Sequence, residues 1–209
     1  YNFMYRTNVD AAHRSSDLMR SENLEEFINT LSKLPLEFSP GKKWNYSVST
    51  DVLGYLVEQV SGQSLDEYFK KNIFEPLGME DTDFECPDDK LSRLASLYEY
   101  NQSGKPKLMK VPSLDVKMMS GGGGLFSTMS DYYKFASMLL NQGEINGERI
   151  IGRKTLQYMT SNHLPNGRDL TEMSESAFSE TPYAGVGFGL GFSVMLDPLK
   201  SQTLSDIGS

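Results

Sequence analysis

Residues 38–62 read FSPGKKWNYSVSTDVLGYLVEQVSG, and this stretch predicts a turn, a loop and a helix in that order. Pro40-Gly41 forms a break, and a short loop containing Trp44–Tyr46 follows it. The pattern becomes helical at about Thr50, and Gly62 ends that helix. The residues that share its apolar face are Leu53, Leu56, Val57 and Val60.

Further amphipathic helices are predicted on both sides of this stretch. Before it, Ser21 is available to cap a helix over residues 24–31. After it, Ser64 and Glu67 form a capping box for a helix that we expect to stop before Pro76. A strong helix closed by Gly143 and a short one around residues 154–160 come later. The residues on the two longer apolar faces are Leu24, Phe27, Ile28 and Leu31, then Tyr132, Phe135, Ala136, Leu139 and Leu140.

Strand patterns are fewer and lie mainly towards the end of the chain. Residues 94–100 and 107–111 flank the turn-rich segment 101–104, which predicts a hairpin. Residues 166–182 are polar and predict a loop, whereas 188–196 read as a single strand in which glycines alternate with larger residues. Helices followed by strands favour an α+β class, with a helical lobe and the beginning of an antiparallel sheet.

Composition excludes several kinds of function. The chain has 209 residues and a net charge of −8, with 28 acidic and 20 basic side chains, so no nucleic-acid partner is expected. No apolar run is long enough to span a membrane. Cys86 is the only cysteine, and the two histidines, His13 and His163, lie far apart. We therefore expect neither a disulfide nor a metal site, and no cofactor.

One catalytic serine motif is absent, and three glycine or serine patterns that are present do not match the chemistry that they first suggest. No Gly-x-Ser-x-Gly elbow is present. The alternating glycines at 185–191 have no helix after them to bind a phosphate. The run Gly121–Gly124 lacks the following Lys-Ser or Lys-Thr of a phosphate loop, and it more simply permits close backbone approach. Ser39–Lys42 has Ser-x-x-Lys spacing, but its Pro-Gly pair cannot form the helical turn that would bring the lysine to the serine.

The longer stretch Phe38–Phe84, together with Gly121–Gly143, Ser161–Pro165 and Gly187–Phe192, resembles the class C β-lactamase-related serine hydrolases. The similarity is greatest to their esterases and extends over essentially the whole chain. The resemblance implies a β-lactamase/transpeptidase-like fold, which this chain would represent as one incomplete domain over residues 1–209. The helical lobe would occupy about 20–185, and the sheet would begin at about 186–209.

In that family a tyrosine acts in proton transfer beside a Ser-x-x-Lys nucleophile turn and a strand that lines the cleft. The resemblance assigns the tyrosine role to Tyr46, and contacts with the substrate to Ser47 and Val48. A free tyrosine has a pKa of about 10, so neighbouring cations would have to stabilise its phenolate. The nucleophile turn would lie before Tyr1 and the cleft strand after Ser209, so we expect the chain alone to be inactive.

The substrate predicted from the resemblance is a small carboxylic ester or amide. Val48 stands where β-lactamases and penicillin-binding proteins usually carry an asparagine that contacts the substrate's acyl-amide group. A valine cannot form that hydrogen bond, which favours esters. A β-lactamase, a D-alanyl-D-alanine carboxypeptidase and a non-catalytic binding or scaffold homologue are the alternatives. Compartment and oligomeric state cannot be inferred.

Overall fold

The computed structural model describes residues 7–100, 104–109, 116–174 and 183–209. The α-helices are α1 Asn8–Ser15, α2 Leu24–Leu31, α3 Ser49–Ser61, α4 Leu65–Phe69, α5 Glu75–Leu77, α6 Met129–Leu140, α7 Arg153–Met159, α8 Leu170–Met173 and α9 Pro198–Ser201. The strands are β1 Tyr98–Tyr100, β2 Pro106–Leu108, β3 Glu144–Ile145, β4 Glu148–Arg149, β5 Val186–Phe188 and β6 Ser193–Met195. Short 3₁₀ turns cover Leu18–Arg20, Asp88–Arg93 and Pro165–Gly167.

The described strands form three separate antiparallel pairs, β1–β2, β3–β4 and β5–β6. The first pair confirms the predicted hairpin, with Tyr98 opposite Leu108, although its strands are shorter than predicted and all of their residues are exposed. Residues 101–103, which belong to the predicted turn, and residues 110–111 lie outside the described part. Helices with small antiparallel pairs confirm the α+β class.

Helices α2, α3 and α4 pack in sequence around a core of Leu24, Leu65 and Phe84. Phe69 stacks on Phe84 with ring centroids 6.1 Å apart, which extends this core towards the next helical segment. Burial of the apolar area of these residues stabilises the three-helix arrangement.

Two predicted helix caps are wrong. The Asn23 side chain, not that of Ser21, caps α2 by accepting a hydrogen bond from the Glu26 N–H at 2.8 Å. At α4, Ser64 makes no side-chain capping bond, and the carboxylate of Glu58 from the preceding helix accepts from the Leu65 N–H at 3.0 Å. A carboxylate brought in by tertiary packing thus satisfies an N-terminal donor of α4.

The predicted stop before Pro76 is also wrong. Residues Lys70–Phe74 continue α4 as a π-helical turn, and α5 carries the chain on to Gly78, which ends it in the left-handed conformation with φ 63°. Pro76 lies in the first turn of α5, where a missing backbone donor is tolerated. The buried side chains of this region form one core cluster with Met138 of α6. They are Phe74, Leu77 and Met79.

Helices α3 and α6 each turn part of their apolar surface outwards. On α3, Leu53 is 56% exposed, Leu56 54% and Val60 80%, while Asp51 and Gly54 on the other side are buried. On α6, Phe135 and Leu139 pack against the core, but Tyr132 and Leu140 are exposed. The predicted apolar face of α6 is therefore divided between the core and the surface.

The end of the chain folds back on α8. The predicted strand over 188–196 is wrong: residues 186–195 form the hairpin β5–β6, with Gly191 in its turn at φ 89°. The predicted loop over 166–182 contains the short helix α8, whose capping box is made by Asp169 and Glu172. Residues 175–182 lie outside the described part. Leu170, Val186 and Met195 form the small core between helix and hairpin.

Among the described residues, no helix combines the length and the apolar character that crossing a bilayer would require.

Candidate functional site

The loop that carries Tyr46 is anchored at its start through Trp44. The Trp44 N–H donates to the Met173 carbonyl at 3.1 Å, which joins the loop to the end of α8. The indole meets the Phe188 ring edge-on, with centroids 5.1 Å apart and planes at 65°. The helix α8 and strand β5 thus hold the residue two positions before Tyr46.

At its other end, the loop runs directly into the first turn of α3. Val48 occupies the cap position, and its carbonyl accepts from the N–H groups of Asp51 and Val52 at 3.1 and 3.3 Å. The Ser47 Oγ accepts from the Ser49 N–H at 3.2 Å and lies 2.5 Å from the Ser49 Oγ. The side chain of Ser47, a predicted substrate contact, therefore bonds to the first residue of the helix.

Between these two anchors, Tyr46 is 55% exposed. A phenol on a short loop that is fixed on both sides can meet a substrate without a large loss of conformational freedom. The three residues predicted for the site, Tyr46, Ser47 and Val48, are consecutive on one surface segment, and the Tyr46 side chain is accessible from solvent.

Val48 also lines a cleft of about 200 Å³. The other wall comes from the end of α1 and the turn after it. Its residues are His13, Arg14, Asp17, Leu18, Met19 and Arg20. The cleft is thus continuous with the segment that the sequence assigns to substrate contact, and it mixes apolar and charged side chains.

A second layer of contacts connects α3 to the glycine segment, which we define as residues 120–124. The buried Asp51 Oδ1 accepts from the Ser120 Oγ at 2.5 Å and from the Gly122 N–H at 3.2 Å. A Cβ on Gly121 would overlap the Thr50 carbonyl oxygen and lie 3.1 Å from Gly54 Cα. The backbones therefore touch, which is the close approach expected of these glycines.

The carboxylate of Asp169 likewise connects two chain segments, in this case those that hold Trp44. Its buried carboxylate accepts from the Gly185 N–H at 2.8 Å, the Thr171 Oγ1 at 2.7 Å and the Glu172 N–H at 3.0 Å. Burial raises the pKa of Asp169, but these three hydrogen bonds outweigh burial and set the pKa below its ordinary value. The ionised carboxylate joins α8 to the segment entering β5.

A separate ionic cluster lies along residues 80–93. Asp81 receives two hydrogen bonds from Arg93, at 2.7 and 2.9 Å, and an ion pair from Lys90 at 2.7 Å. These bonds, that of Arg93 first, hold the pKa of Asp81 well below its usual range. In the part of the chain that the structure describes, no group of three or more His, Cys, Asp and Glu is placed to hold a metal ion.

The Ser39–Lys42 spacing does not produce a nucleophile. The Lys42 N–H donates to the Ser39 carbonyl at 3.2 Å in a turn outside any helix, and both residues are exposed. Sequence reasoning missed Asp51 and Asp169. For Asp169 a signal existed, since Asp169 and Glu172 stand at capping-box spacing. For Asp51 no local sequence signal existed, because its hydrogen-bond partner Ser120 is 69 residues away in the chain.

Comparison with known proteins gives consistent results. A family model described as beta-lactamase matches residues 2–205. "Protein Rv1367c" of Mycobacterium tuberculosis is 32% identical over 182 residues, covering 85% of this chain and 44% of that protein. "Lovastatin esterase" of Penicillium rubens is 30% identical over 168 residues, covering 75% and 42%.

Among solved structures, "EstCE1, a hydrolase with promiscuous acyltransferase activity" superposes with a TM-score of 0.71 and 26% identity, over 89% of this chain and 49% of that one. The chain thus spans less than half the length of these relatives. Since the family model covers nearly all of its residues and the fold agrees, the chain belongs to the β-lactamase family.

Proposed function

We propose that the protein carrying this chain hydrolyses carboxylic esters through an acyl-enzyme, and that Tyr46 transfers the proton. The observation that supports this most directly is the placement of Tyr46 on an exposed loop fixed at both ends, in a chain whose relatives include an esterase. The nucleophile is a serine in a Ser-x-x-Lys turn that another part of the natural protein supplies.

In this mechanism Tyr46 acts twice. Its phenolate, which the lysine of the Ser-x-x-Lys turn would stabilise, accepts the serine proton while the serine oxygen attacks the ester carbonyl. The phenol then returns that proton to the departing alcohol as the carbon–oxygen bond breaks, which leaves the acyl-serine. In the second half of the reaction a water molecule attacks the acyl-serine carbonyl and gives a proton to Tyr46. Tyr46 passes that proton to the serine oxygen as the acyl–serine bond breaks, which releases the carboxylic acid and restores the serine.

Val48 supports esters over β-lactams as the substrate class. It lines the 200 Å³ cleft and offers no side-chain hydrogen bond to an acyl-amide group. An ester needs no such bond on its acyl side, so an apolar wall there costs it nothing. The ester proposal therefore rests on the chemistry of this position as well as on the esterase relative.

Tyr46→Phe in the protein at its natural length tests the proposal. We expect kcat/KM for a short-chain nitrophenyl ester to fall by about 10²–10⁴-fold, because proton transfer is lost. The unfolding midpoint should stay unchanged, because the side chain is more than half exposed. Tyr133→Phe is the control, since it removes a hydroxyl from a tyrosine that is 71% exposed on α6.

Loss of activity in both variants, or in neither, would contradict the role of Tyr46. Running a chromogenic cephalosporin beside the ester separates the alternatives. Faster turnover of the cephalosporin would favour a β-lactamase or peptidase. No turnover of either compound, together with no covalent labelling by a fluorophosphonate, would leave a binding or scaffold protein.

A further inference from the structure

The first turn of α3 contains a carboxylate that the proposed chemistry does not use. Asp51 is 4% exposed, and its Oδ1 accepts hydrogen bonds from the Ser120 Oγ and the Gly122 N–H. Asp51 lies in the first turn of α3, where backbone N–H groups have no partner within the helix. Such a charge-assisted pair of bonds fixes the glycine segment against the helix.

The bonds of Asp51 depend on glycines in both α3 and the glycine segment. A Cβ on Gly122 would lie 2.8 Å from Asp51 Oδ2 and 3.0 Å from Thr50 Oγ1, so a side chain there would displace the carboxylate. A Cβ on Gly54 would lie 3.2 Å from Gly121 Cα. Glycines on both partners therefore bring the backbones close enough for Asp51 to reach across.

The same helical turn ends the loop of Tyr46. The Asp51 N–H donates to the Val48 carbonyl, so the residue that binds the glycine segment also defines where α3 begins. Trp44 fixes the other end of the loop on α8 and β5. If the first turn of α3 moves, Tyr46 is the chemically active side chain that moves with it. A displacement of about 1 Å can lower a rate about 10²-fold.

We propose that Asp51 is a positioning residue for Tyr46: by binding the glycine segment, its carboxylate fixes the start of α3 and so the place of the phenol. This inference rests on the proposed function, because it assumes that Tyr46 carries the proton. It goes further by assigning a role to Asp51, Ser120 and Gly122, none of which contacts the substrate in the proposed mechanism.

The chain provides a matched control in Asp131. This residue is 3% exposed and stands three positions after the cap of α6, as Asp51 does in α3. Its Oδ2 accepts from the Asp81 N–H at 2.7 Å and from the Thr82 Oγ1 at 3.1 Å. Its Oδ1 also accepts from the Lys134 Nζ at 3.0 Å. Asp131→Ala therefore removes a second buried carboxylate, one that bonds to Asp81, Thr82 and Lys134 and not to the glycine segment.

The experiment measures kcat, KM and the unfolding midpoint of the protein at its natural length, for Asp51→Ala and Asp131→Ala. Both should lower the midpoint, since each removes a buried carboxylate that accepts at least two hydrogen bonds. Only Asp51→Ala should lower kcat, by about 10²-fold, with KM changed less than about threefold. Asp51→Asn keeps an acceptor oxygen and should restore kcat to within about tenfold of the parent.

A double substitution then asks whether Asp51 acts through Tyr46. In a Tyr46→Phe background, Asp51→Ala should lower kcat by no more than about threefold further, because the group that it positions is already gone. If Asp51→Ala proves too unstable to assay, Ser120→Ala removes one of the two donors and should give a smaller loss of about 3–10-fold, which Tyr46→Phe again abolishes.

The outcomes that overturn the inference are distinct from those that overturn the proposed function. Full additivity of Tyr46→Phe and Asp51→Ala, or an equal loss of kcat in Asp131→Ala, refutes positioning while the role of Tyr46 stands. A Tyr46→Phe variant with the activity of the parent refutes both.

Discussion

Gly121→Ala tests the close approach between α3 and the glycine segment. A Cβ at position 121 would fall far inside 3.0 Å of the Thr50 carbonyl oxygen, and 3.1 Å from both Cα and N of Gly54. All of these neighbours are backbone atoms, so rotation of a side chain cannot relieve the overlap. The helix or the glycine segment has to move, and the bonds to Asp51 have to stretch with it.

The size of the effect follows from comparison with Gly123→Ala. Gly123 has nothing within 4 Å of an added Cβ, and neither glycine has a backbone conformation that alanine avoids. Alanine at 123 should therefore raise the free energy of unfolding by about 0.4–1 kcal/mol, through the entropy of the unfolded chain. At 121 the overlap should lower it by about 1–3 kcal/mol. The two variants should differ by about 1.5–4 kcal/mol.

Urea unfolding of the protein at its natural length, followed by circular dichroism, measures this difference. Two variants carrying the same substitution two residues apart in one segment share composition and charge, so the comparison isolates the contact. Free energies of unfolding that agree within about 0.5 kcal/mol would refute the close approach as a determinant of the fold. They would also remove the structural basis for the role proposed for Asp51.

Three further predictions concern substrate choice, pH and the isolated chain. Val48→Asn should raise the ratio of cephalosporin to ester turnover by about 2–10-fold, the value of one added hydrogen bond; an unchanged ratio would show that this side chain does not face the substrate. The pKa of Asp169 is lowered in the folded state, so its stabilising effect is present above the unfolded pKa of about 4 and disappears as pH falls through the folded pKa. The gap in urea midpoint between the parent and Asp169→Asn should therefore be present at pH 7 and close in acid, whereas a gap that persists at low pH would contradict this. Finally, the 209-residue chain alone should not be labelled by a fluorophosphonate, and labelling would reveal a serine nucleophile within it.

The sequence predicted most of the helices because their periodicity is a local property. α3 begins and ends within a residue of the prediction, and Gly62 adopts the left-handed conformation at φ 69° that a helix-ending glycine favours. Caps were predicted less well, because the donor at Leu65 is satisfied by Glu58 from the preceding helix. Such a partner depends on packing between helices, which no local pattern reports.

The local sequence pattern also did not predict which face of a helix is buried. The stripe of Leu53, Leu56 and Val60 on α3 has helical spacing, yet it is exposed while Gly54 is buried beside Gly121. The period identifies an apolar face, but only the position of neighbouring elements decides what covers it. The residues predicted for the candidate site, by contrast, follow one another along the chain, so the prediction of Tyr46 needed a local motif and no knowledge of packing.

The anchoring of Trp44 has a practical consequence for spectroscopy. It is the only tryptophan among the 209 residues, and it lies two residues before Tyr46 in the chain. Its indole packs against the ring of Phe188. The tryptophan fluorescence of this chain therefore comes from a single indole attached to the loop that carries Tyr46. Separation of the indole from Phe188 would expose it to water and shift its emission to longer wavelength. Any further tryptophan in the natural protein can be replaced by phenylalanine, so that stopped-flow fluorescence follows the loop during turnover without a labelled substrate.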